Sequence, residues 1–175
     1  ELIENYCQSN YFCPNGVKKG DIWGSCMRSE EKQHCLEMFE KNPTQINMAI
    51  ITRGDDNKVS ARALIWNFID RTDKKRYVIM DRAYFYHDYE KNLLCEWAKQ
   101  MGIVHKRYQN YDSPTYFVNP DGTYFQRKFF PVIENFSPSW GFPYMDTFKY
   151  FFPESGVFGN ASKKNKSLGL EYYHL

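Results

Sequence analysis

One cysteine of this 175-residue chain lies in a context that could make its thiol reactive. Cys26 is followed two residues later by Arg28, and the next residues predict a helix over 29–41. A helix N-terminus and a nearby cation both favour the nucleophilic thiolate. Cys26 is therefore a candidate nucleophile of a transferase or peptidase, which His87 and either Arg28 or Arg62 would assist. The alternative, which the sequence favours, is a small buried residue that packs the helix start.

A second group of candidates is charged residues inside two otherwise apolar segments, ARALIW and YVIMDRAY. We expect these segments to be antiparallel strands with Trp66 opposite Tyr77. In that register Arg62 falls opposite Asp81, and the two form a buried, charge-assisted pair. With Arg82 beside the same aspartate, one guanidinium would remain free to bind phosphate or carboxylate. The alternative, favoured here too, is an ion network that only fixes the strand register.

Two further residues complete the candidate list. Arg28 is counted with the arginines above as a possible anion ligand. His87 precedes Asp88 where a predicted strand turns into a helix, a place where sites often form. His87 could act as a general base oriented by Asp88. The favoured alternative is that Asp88 is only the helix N-cap and His87 its neighbour.

Composition argues against several classes of protein. The five cysteines form no CxxC pair and no His spacing completes a zinc motif, so we expect no metal and no cofactor. No apolar run approaches the roughly 20 residues of a membrane helix. The odd cysteine count and the polar opening residues favour reduced thiols and a cytoplasmic setting. Aromatic residues interleave with Arg127, Lys128 and Lys149, but a net charge of +2 supports nucleic-acid binding only weakly.

The candidate residues require a sheet and two helices to position them. Apolar runs over residues 47–52, 59–68 and 77–85, joined by short polar loops, predict an antiparallel meander. A helix from Asp88 to Gly102 should pack on it through its apolar face, which is Leu93, Leu94, Trp97, Ala98 and Met101. The remaining predictions are a strand over 103–108, hairpins over 116–130 and 144–158, and a solvated loop over 163–166.

The sequence therefore predicts a single α+β domain over residues 1–175. Its parts are an irregular N-terminal arm over 1–24, a helix–sheet core over 25–108 and a β-rich extension over 109–175.

The order of these elements resembles the core of the GNAT acetyltransferases over roughly residues 29–108. That resemblance implies an acetyl-CoA site, in which a glycine-containing turn after the third strand holds the pyrophosphate. Here the corresponding stretch, DRAYFYHDYEKN, has no glycine. We therefore expect that acetyl-CoA does not bind in the usual way.

Four segments in order also resemble a group of bacteriophage proteins that has no established activity. They are SCMR at 25–28, ARALIW at 61–66, MDRAY at 80–84 and PYMDTFKY at 143–150. The resemblance implies a phage origin and action in the host cytoplasm. In longer members, short tyrosine-rich acidic repeats follow this domain, which would suit a truncated chain here. The function expected is binding of a host or phage partner or of a small anionic ligand, with the Cys26 enzyme as the alternative.

Overall fold

The computed structural model describes residues 2–153, 155–161 and 173–174, and it has an α+β fold. The predicted loop over 163–166 lies outside the described residues. A six-stranded mixed sheet has the order β1-β2-β3-β4-β5-β6, and a second sheet has the order β8-β7-β9. The strands of the first sheet are β1 (Ile46–Arg53), β2 (Lys58–Ile69), β3 (Arg76–Phe85), β4 (Val104–Lys106), β5 (Tyr116–Val118) and β6 (Tyr124–Gln126). Those of the second are β7 (Tyr150–Phe152), β8 (Val157–Gly159) and β9 (Tyr173–His174).

The predicted meander is confirmed, because β1, β2 and β3 are neighbouring antiparallel strands. The strand after α3 (Asp88–Gln100) pairs in parallel with β3, as expected for a helical crossover. The hairpin strands β6 and β7 are shorter than the predicted segments, and β4 covers only the middle of residues 103–108.

The predicted register between β2 and β3 is wrong. Trp66 lies opposite Ile79, and Arg62 lies opposite Tyr84. The turn between β2 and β3 is centred one residue later in the chain than expected, which shifts the pairing by two residues. An irregularity between Ala63 and Ile65 shifts the rest by one more. Because a single extra residue changes which side chains share a face, Arg62 and Asp81 are not cross-strand partners.

Successive side chains of β2 point to opposite faces of the sheet, and each face packs against its own hydrophobic core. Ala61 and Ala63 face α3 and belong to one buried cluster with Leu94 and Ala98. Leu64, Trp66 and Phe68 belong to a larger cluster on the other side of the sheet. Edge-to-face aromatic contacts dominate this second core, including Trp66 with Phe148 at 5.1 Å between ring centroids. The high aromatic content of the chain is therefore mainly core material.

The prediction for the α3 face is half correct. Leu94 and Ala98 are buried, but Trp97 is 37% exposed, and Leu93 and Met101 are more than half exposed. Successive helix residues point about 100° apart, so only one edge of the broad apolar face reaches the sheet. The N-cap is His87 rather than Asp88, which is exposed in the first turn.

The predicted helix over 29–41 is not one continuous α-helix. A 3-10 segment (Glu30–Leu36) leads into a single α-helical turn, α2 (Glu37–Glu40). Leu36 at the end of the 3-10 segment and Phe39 in α2 are both buried, so the junction of the two segments packs into the core.

The N-terminal arm is integrated into the fold more closely than expected. It contains several 3-10 turns and the short α1 (Gly20–Trp23), and it buries Tyr6, Tyr11 and Trp23. Gly20 has φ +76°, and a Cβ placed there would lie 2.3 Å from the backbone oxygen of Phe85. Only glycine permits this approach, which brings α1 against the end of β3. Within the part of the chain that the structure describes, no helix is long and apolar enough to cross a membrane.

Candidate functional site

A two-part cleft lies where the arm, β2, β3 and the segment around residue 145 meet. Its inner recess is narrow, with a volume of about 20 Å³, and is lined by residues including Ser25, Cys26, Arg62, Asp81, Arg82 and Tyr84. Its outer recess, about 220 Å³, is lined by residues including Asp21, Cys26, Arg82, Tyr84, Tyr111 and Tyr144. The two recesses are adjacent and share several lining residues, among them Cys26, Arg82 and Tyr84. A ligand larger than a water molecule can reach Arg62 only if side chains that line the inner recess move.

Arg62 is the buried centre of the inner recess. It projects from the middle of β2 and is 2% exposed. Its Nη2 donates to the Tyr11 hydroxyl at 2.9 Å and to the Ser25 hydroxyl at 2.8 Å. Its Cζ also lies 3.9 Å from the ring centroid of Tyr6, so an aromatic face covers the guanidinium.

The charge of Arg62 has no anionic partner among the residues described. Within residues 2–153, 155–161 and 173–174, no carboxylate oxygen lies within 4.0 Å of its guanidinium, and its buried Nε has no hydrogen-bond acceptor. The expected pair with Asp81 is therefore absent, although both residues are buried as predicted. Burial raises the pKa of the Tyr6 phenol, which stays protonated at neutral pH and cannot neutralise Arg62 as a tyrosinate.

Asp81 is instead held by donors from its own side of the sheet. Its Oδ2 accepts from Trp66 Nε1 at 3.0 Å, and its Oδ1 accepts from the Thr147 hydroxyl and from the backbone N–H of Arg82. Trp66 is the diagonal cross-strand neighbour of Asp81 in the observed register. Burial raises the pKa of the Asp81 carboxyl, and the positive charge of Lys106 opposes that shift.

Arg82 differs from Arg62 in being neutralised. Its Nη1 lies 3.3 Å from Asp146 Oδ1, and its Nη2 lies 3.2 Å from Asp21 Oδ2. The Tyr84 hydroxyl donates to the other oxygen of Asp146 at 2.6 Å. Burial and the negative charge of Asp146 raise the pKa of Tyr84. The predicted grouping of two arginines around Asp81 is therefore wrong, and Arg62 is the cation left over.

Cys26 lies at the junction of the two recesses and is the exposed cysteine of the five. The favoured interpretation of a buried packing residue is wrong, since the neighbouring Met27 fills that role at 4% exposed. The predicted activation by a helix terminus also fails, because Cys26 begins a three-residue 3-10 turn that ends at Arg28. A single short turn has almost no macrodipole.

Two predicted site residues are not part of the cleft lining. Arg28 and His87 are absent from both sets of lining residues. His87 stacks on Tyr89, with 5.4 Å between ring centroids, at the start of α3. The cleft thus brings together Cys26, Arg62, Asp81 and Arg82 from the sequence-based list, without the predicted base.

Several residues of the cleft escaped sequence analysis. Tyr6, which lines the inner recess, and Tyr11, which binds Arg62, belong to the arm, whose pattern gave no sign of contact with a strand about 50 residues away. Asp146 and Tyr144 occur in the PYMDTFKY segment, which was singled out as a resemblance but not as part of a site. Their only signal was a carboxylate and a tyrosine in an otherwise apolar stretch.

The described residues contain no cluster of three or more His, Cys, Asp or Glu side chains that could hold a metal ion.

Comparisons with protein-family models, with curated proteins and with solved structures gave no match to this chain.

Proposed function

We propose that the protein binds a small anionic ligand, with Arg62 as the principal ligand-binding residue in the inner recess. The observation that carries this proposal is a guanidinium 2% exposed that lines a cleft, has an unpartnered Nε and has no carboxylate within 4.0 Å among the residues described. Buried charges in proteins are normally paired or hydrogen-bonded. An incoming anion would supply the missing partner.

The surroundings of Arg62 hold it in place without neutralising it. Removing an isolated charge from water costs several kcal/mol, and a desolvated cation–π contact returns about 2 kcal/mol. The rings of Tyr6 at 3.9 Å, Tyr84 at 4.9 Å and Tyr11 at 5.7 Å can therefore offset much of the cost in the free protein. They leave the edge of the guanidinium available for hydrogen bonds to an anion.

A second donor lies beside it. The Ser25 oxygen accepts from Arg62, so the hydrogen of the same hydroxyl is available to an anion in the recess. The two carboxylates of the inner recess do not compete strongly, because both oxygens of Asp81 and both of Asp146 already accept hydrogen bonds.

Thermal unfolding in sodium phosphate, compared with sodium chloride at equal ionic strength, tests the proposal. Ligand at 100 times its Kd stabilises a protein by about 2.7 kcal/mol, which for a chain of this size raises Tm by roughly 5–10 °C. We expect that rise in the wild type, and we expect Arg62→Gln to abolish it. Arg107→Gln is the matched control, because Arg107 is exposed and stacks on Tyr108 and Tyr124 away from the cleft.

A second measurement uses the wild type alone, so its result does not depend on whether the Arg62→Gln variant folds. Alkylation of Cys26 in the wild type should slow when phosphate is present, since the thiol lies at the junction of the two recesses. Cys95, on α3 away from the cleft, reports any general change in reactivity. Equal Tm values in phosphate and chloride, together with unchanged alkylation of Cys26, would refute the proposal.

The enzyme alternative is favoured by one observation, the exposed Cys26 thiol in the same cleft as Arg62. In this alternative Arg62 would hold an anionic group of the substrate while Cys26 attacks an electrophilic carbon. His87 does not line the cleft, so a different group would have to serve as the base. A burst of p-nitrophenol from p-nitrophenyl acetate that Cys26→Ala abolishes would support it, and the absence of a burst would exclude an acyl-enzyme.

The setting is also part of the proposal. The four segments that resemble those of the bacteriophage proteins support a phage origin and action in the host cytoplasm, where the five cysteines would stay reduced. A protein partner that inserts an acidic side chain or a terminal carboxylate into the recess would use the same Arg62 chemistry. Expression in a bacterial cytoplasm, followed by thiol quantification without reductant, should give five free thiols, and fewer would contradict the setting.

A further inference from the structure

A thiol and an imidazole hydrogen-bond to each other in the 3-10 segment Glu30–Leu36, outside the cleft. The Cys35 sulfur lies 3.3 Å from His34 Nε2, and neither residue lines either recess. We infer that His34 and Cys35 form a second reactive centre, in which the imidazole removes the thiol proton while the sulfur takes an acyl group from an activated ester. This inference is independent of the proposed anion site.

The tautomer of His34 follows from its second hydrogen bond. Its Nδ1 lies 2.9 Å from the backbone oxygen of Glu31, and a carbonyl oxygen can only accept, so Nδ1 carries the proton. In the neutral ring Nε2 is then unprotonated and accepts from the S–H of Cys35. A nucleophile that donates to a base, which a third group orients, is the arrangement that activates cysteine and serine nucleophiles.

The surroundings of the pair keep the thiol protonated. Burial raises the pKa of the Cys35 thiol, and the positive charge of Lys32 opposes that shift only in part. Residues 135–143, which approach the pair through Gly141, contain no ionisable side chain. Because the thiolate is disfavoured at neutral pH, the sulfur becomes a nucleophile only when the neighbouring base removes its proton. The other charged or titratable side chains of the adjoining segments are Glu4, Cys7, Arg28, Glu30, Glu31 and Glu37.

Gly141 keeps a side chain away from the two reacting atoms. Its φ is +77°, and a Cβ placed there would lie 3.1 Å from the Cys35 sulfur and 3.6 Å from His34 Nε2. Any other residue at this position would therefore press on both atoms of the pair, and glycine leaves that space open. His34 is exposed and Cys35 is only partly buried, so a small molecule can approach from solvent.

The chemistry of the pair favours an ester over an alkylating agent. The alcohol that leaves an ester needs a proton, and His34 can return the one that it took from the thiol. Alkylation gives the imidazole no such second role. Trp140 and Phe142 flank Gly141 and pack, partly buried, against the same core as Cys35. Their apolar surface suits an apolar acyl or aryl group better than a charged one.

The reaction balances without any further reactant except water. In the first step the Cys35 proton passes to His34 Nε2, a bond forms between sulfur and the carbonyl carbon, and the bond from that carbon to the leaving oxygen breaks. The leaving oxygen takes the proton from Nε2. In the second step water gives a proton to Nε2 and its oxygen bonds to the carbonyl carbon, the carbon–sulfur bond breaks, and the sulfur regains a proton. Ester and water become acid and alcohol, and nothing is oxidised or reduced.

Reaction with p-nitrophenyl acetate, followed by acid quenching, digestion and mass spectrometry, measures the acetylation rate of each cysteine separately. We expect Cys35 to be acetylated at least tenfold faster than Cys26 at pH 7, although Cys26 is the more exposed, because general-base catalysis contributes about 10²–10⁴-fold. His34→Gln should slow Cys35 at least tenfold at this pH. Near pH 10 the thiolate forms without a base, so the two proteins should react at similar rates. A purely structural role of His34 would slow the reaction at both pH values.

A pair of glycine variants tests the open space above the sulfur. Gly141→Ala should slow acetylation of Cys35, because the new Cβ would contact both reacting atoms. Gly122→Ala is the matched control, since Gly122 has φ +86° and nothing within 4 Å of an added Cβ. It introduces the same backbone strain, and we expect it to leave the acetylation rate unchanged.

The outcomes that overturn the inference are distinct. Faster acetylation of Cys26 than of Cys35 would refute it and would favour the Cys26 enzyme instead. Equal rates at Cys35 for wild type and His34→Gln at pH 7 would show that His34 is not the base. Reaction of Cys35 with iodoacetamide but not with the ester would refute the acyl class. None of these results bears on phosphate binding, which is tested at Arg62.

Discussion

Arg62 and Tyr84 lie directly opposite each other on β2 and β3, with 4.9 Å between the guanidinium carbon and the ring centroid. The same ring lies 4.8 Å from Arg82 on its own strand. One tyrosine ring thus contacts both Arg82, which is neutralised, and Arg62, which has no carboxylate partner among the residues described. Asp146 accepts from the Tyr84 hydroxyl and from Arg82. Tyr84 therefore connects both arginines and one carboxylate of the cleft.

The first prediction separates the two roles of Tyr84. Tyr84→Phe keeps the ring over Arg62 but removes a hydrogen bond to a carboxylate, so it should lower the free energy of unfolding by about 1.5–3 kcal/mol. Tyr84→Leu should lower it further, because the cation–π contact is lost too. Urea denaturation measures both, with Tyr144→Phe at the exposed position as control. Equal values for the Phe and Leu variants would show that the ring does not stabilise Arg62.

The second prediction concerns Asp81, which we expected to pair with Arg62. The carboxylate has three donors and lies near Lys106, so Asp81→Asn should still lower the unfolding free energy, by about 3 kcal/mol. The reason differs from the one that the sequence suggested. The groups that lose their partner are Trp66 Nε1 and Lys106, not Arg62. Trp66→Phe combined with Asp81→Asn should therefore be less than additive. Full additivity would contradict the assigned partners.

The third prediction uses two glycines with the same backbone angle. Gly20 has φ +76°, and an added Cβ would lie 2.3 Å from the Phe85 oxygen, whereas Gly16 has φ +74° and nothing within 4 Å. Gly16→Ala should lower the free energy of unfolding by only about 1 kcal/mol, because alanine is strained in the left-handed conformation. Gly20→Ala should lower the free energy of unfolding clearly more, because α1 would have to move away from the end of β3. Equal Tm values for the two variants would contradict the close packing of α1 against β3.

The fourth prediction is a pH dependence that arises at Glu90. Burial alone would raise the pKa of this fully buried carboxylate, but hydrogen bonds from Ser60, the His87 backbone and Arg53 lower it overall. A carboxyl pKa lowered in the folded state contributes stability above the unfolded pKa, near 4.3, and loses it as pH falls through the folded value. Glu90→Gln should therefore be less stable at neutral pH and should lose less stability on acidification. Urea denaturation between neutral pH and about pH 3 measures this. Parallel pH profiles for the two proteins would contradict it.

The fifth prediction is that acetyl-CoA does not bind at the start of α3 in the way the GNAT resemblance implies. The Glu90 carboxylate already accepts from the backbone N–H groups of Tyr86 and His87, at 3.2 and 2.9 Å. These amides are where a pyrophosphate would have to bind. Isothermal titration should detect no micromolar affinity. Micromolar binding of acetyl-CoA that is abolished by substitution of Tyr84 or Tyr86 would prove this prediction wrong.

Sequence patterns predicted the elements better than their register. Apolar runs and short polar loops are local signals, so the three-stranded meander and α3 could be recognised. The pairing of Arg62 depended on the exact position of the turn between β2 and β3 and on a one-residue irregularity, neither of which a periodic pattern encodes. Burial of both charges was predictable, because apolar residues surround them. Their partners were not, because Tyr11 comes from the arm and Thr147 from the C-terminal part of the chain.

The most direct test of the anion site is a crystal structure of the protein grown in phosphate. Our account predicts a tetrahedral density feature within about 3 Å of Arg62 Nε, with the Ser25 hydroxyl as a second contact. An empty recess in which Arg62 still has no partner would contradict the account, and so would a carboxylate of the chain bound to the Arg62 guanidinium in place of phosphate.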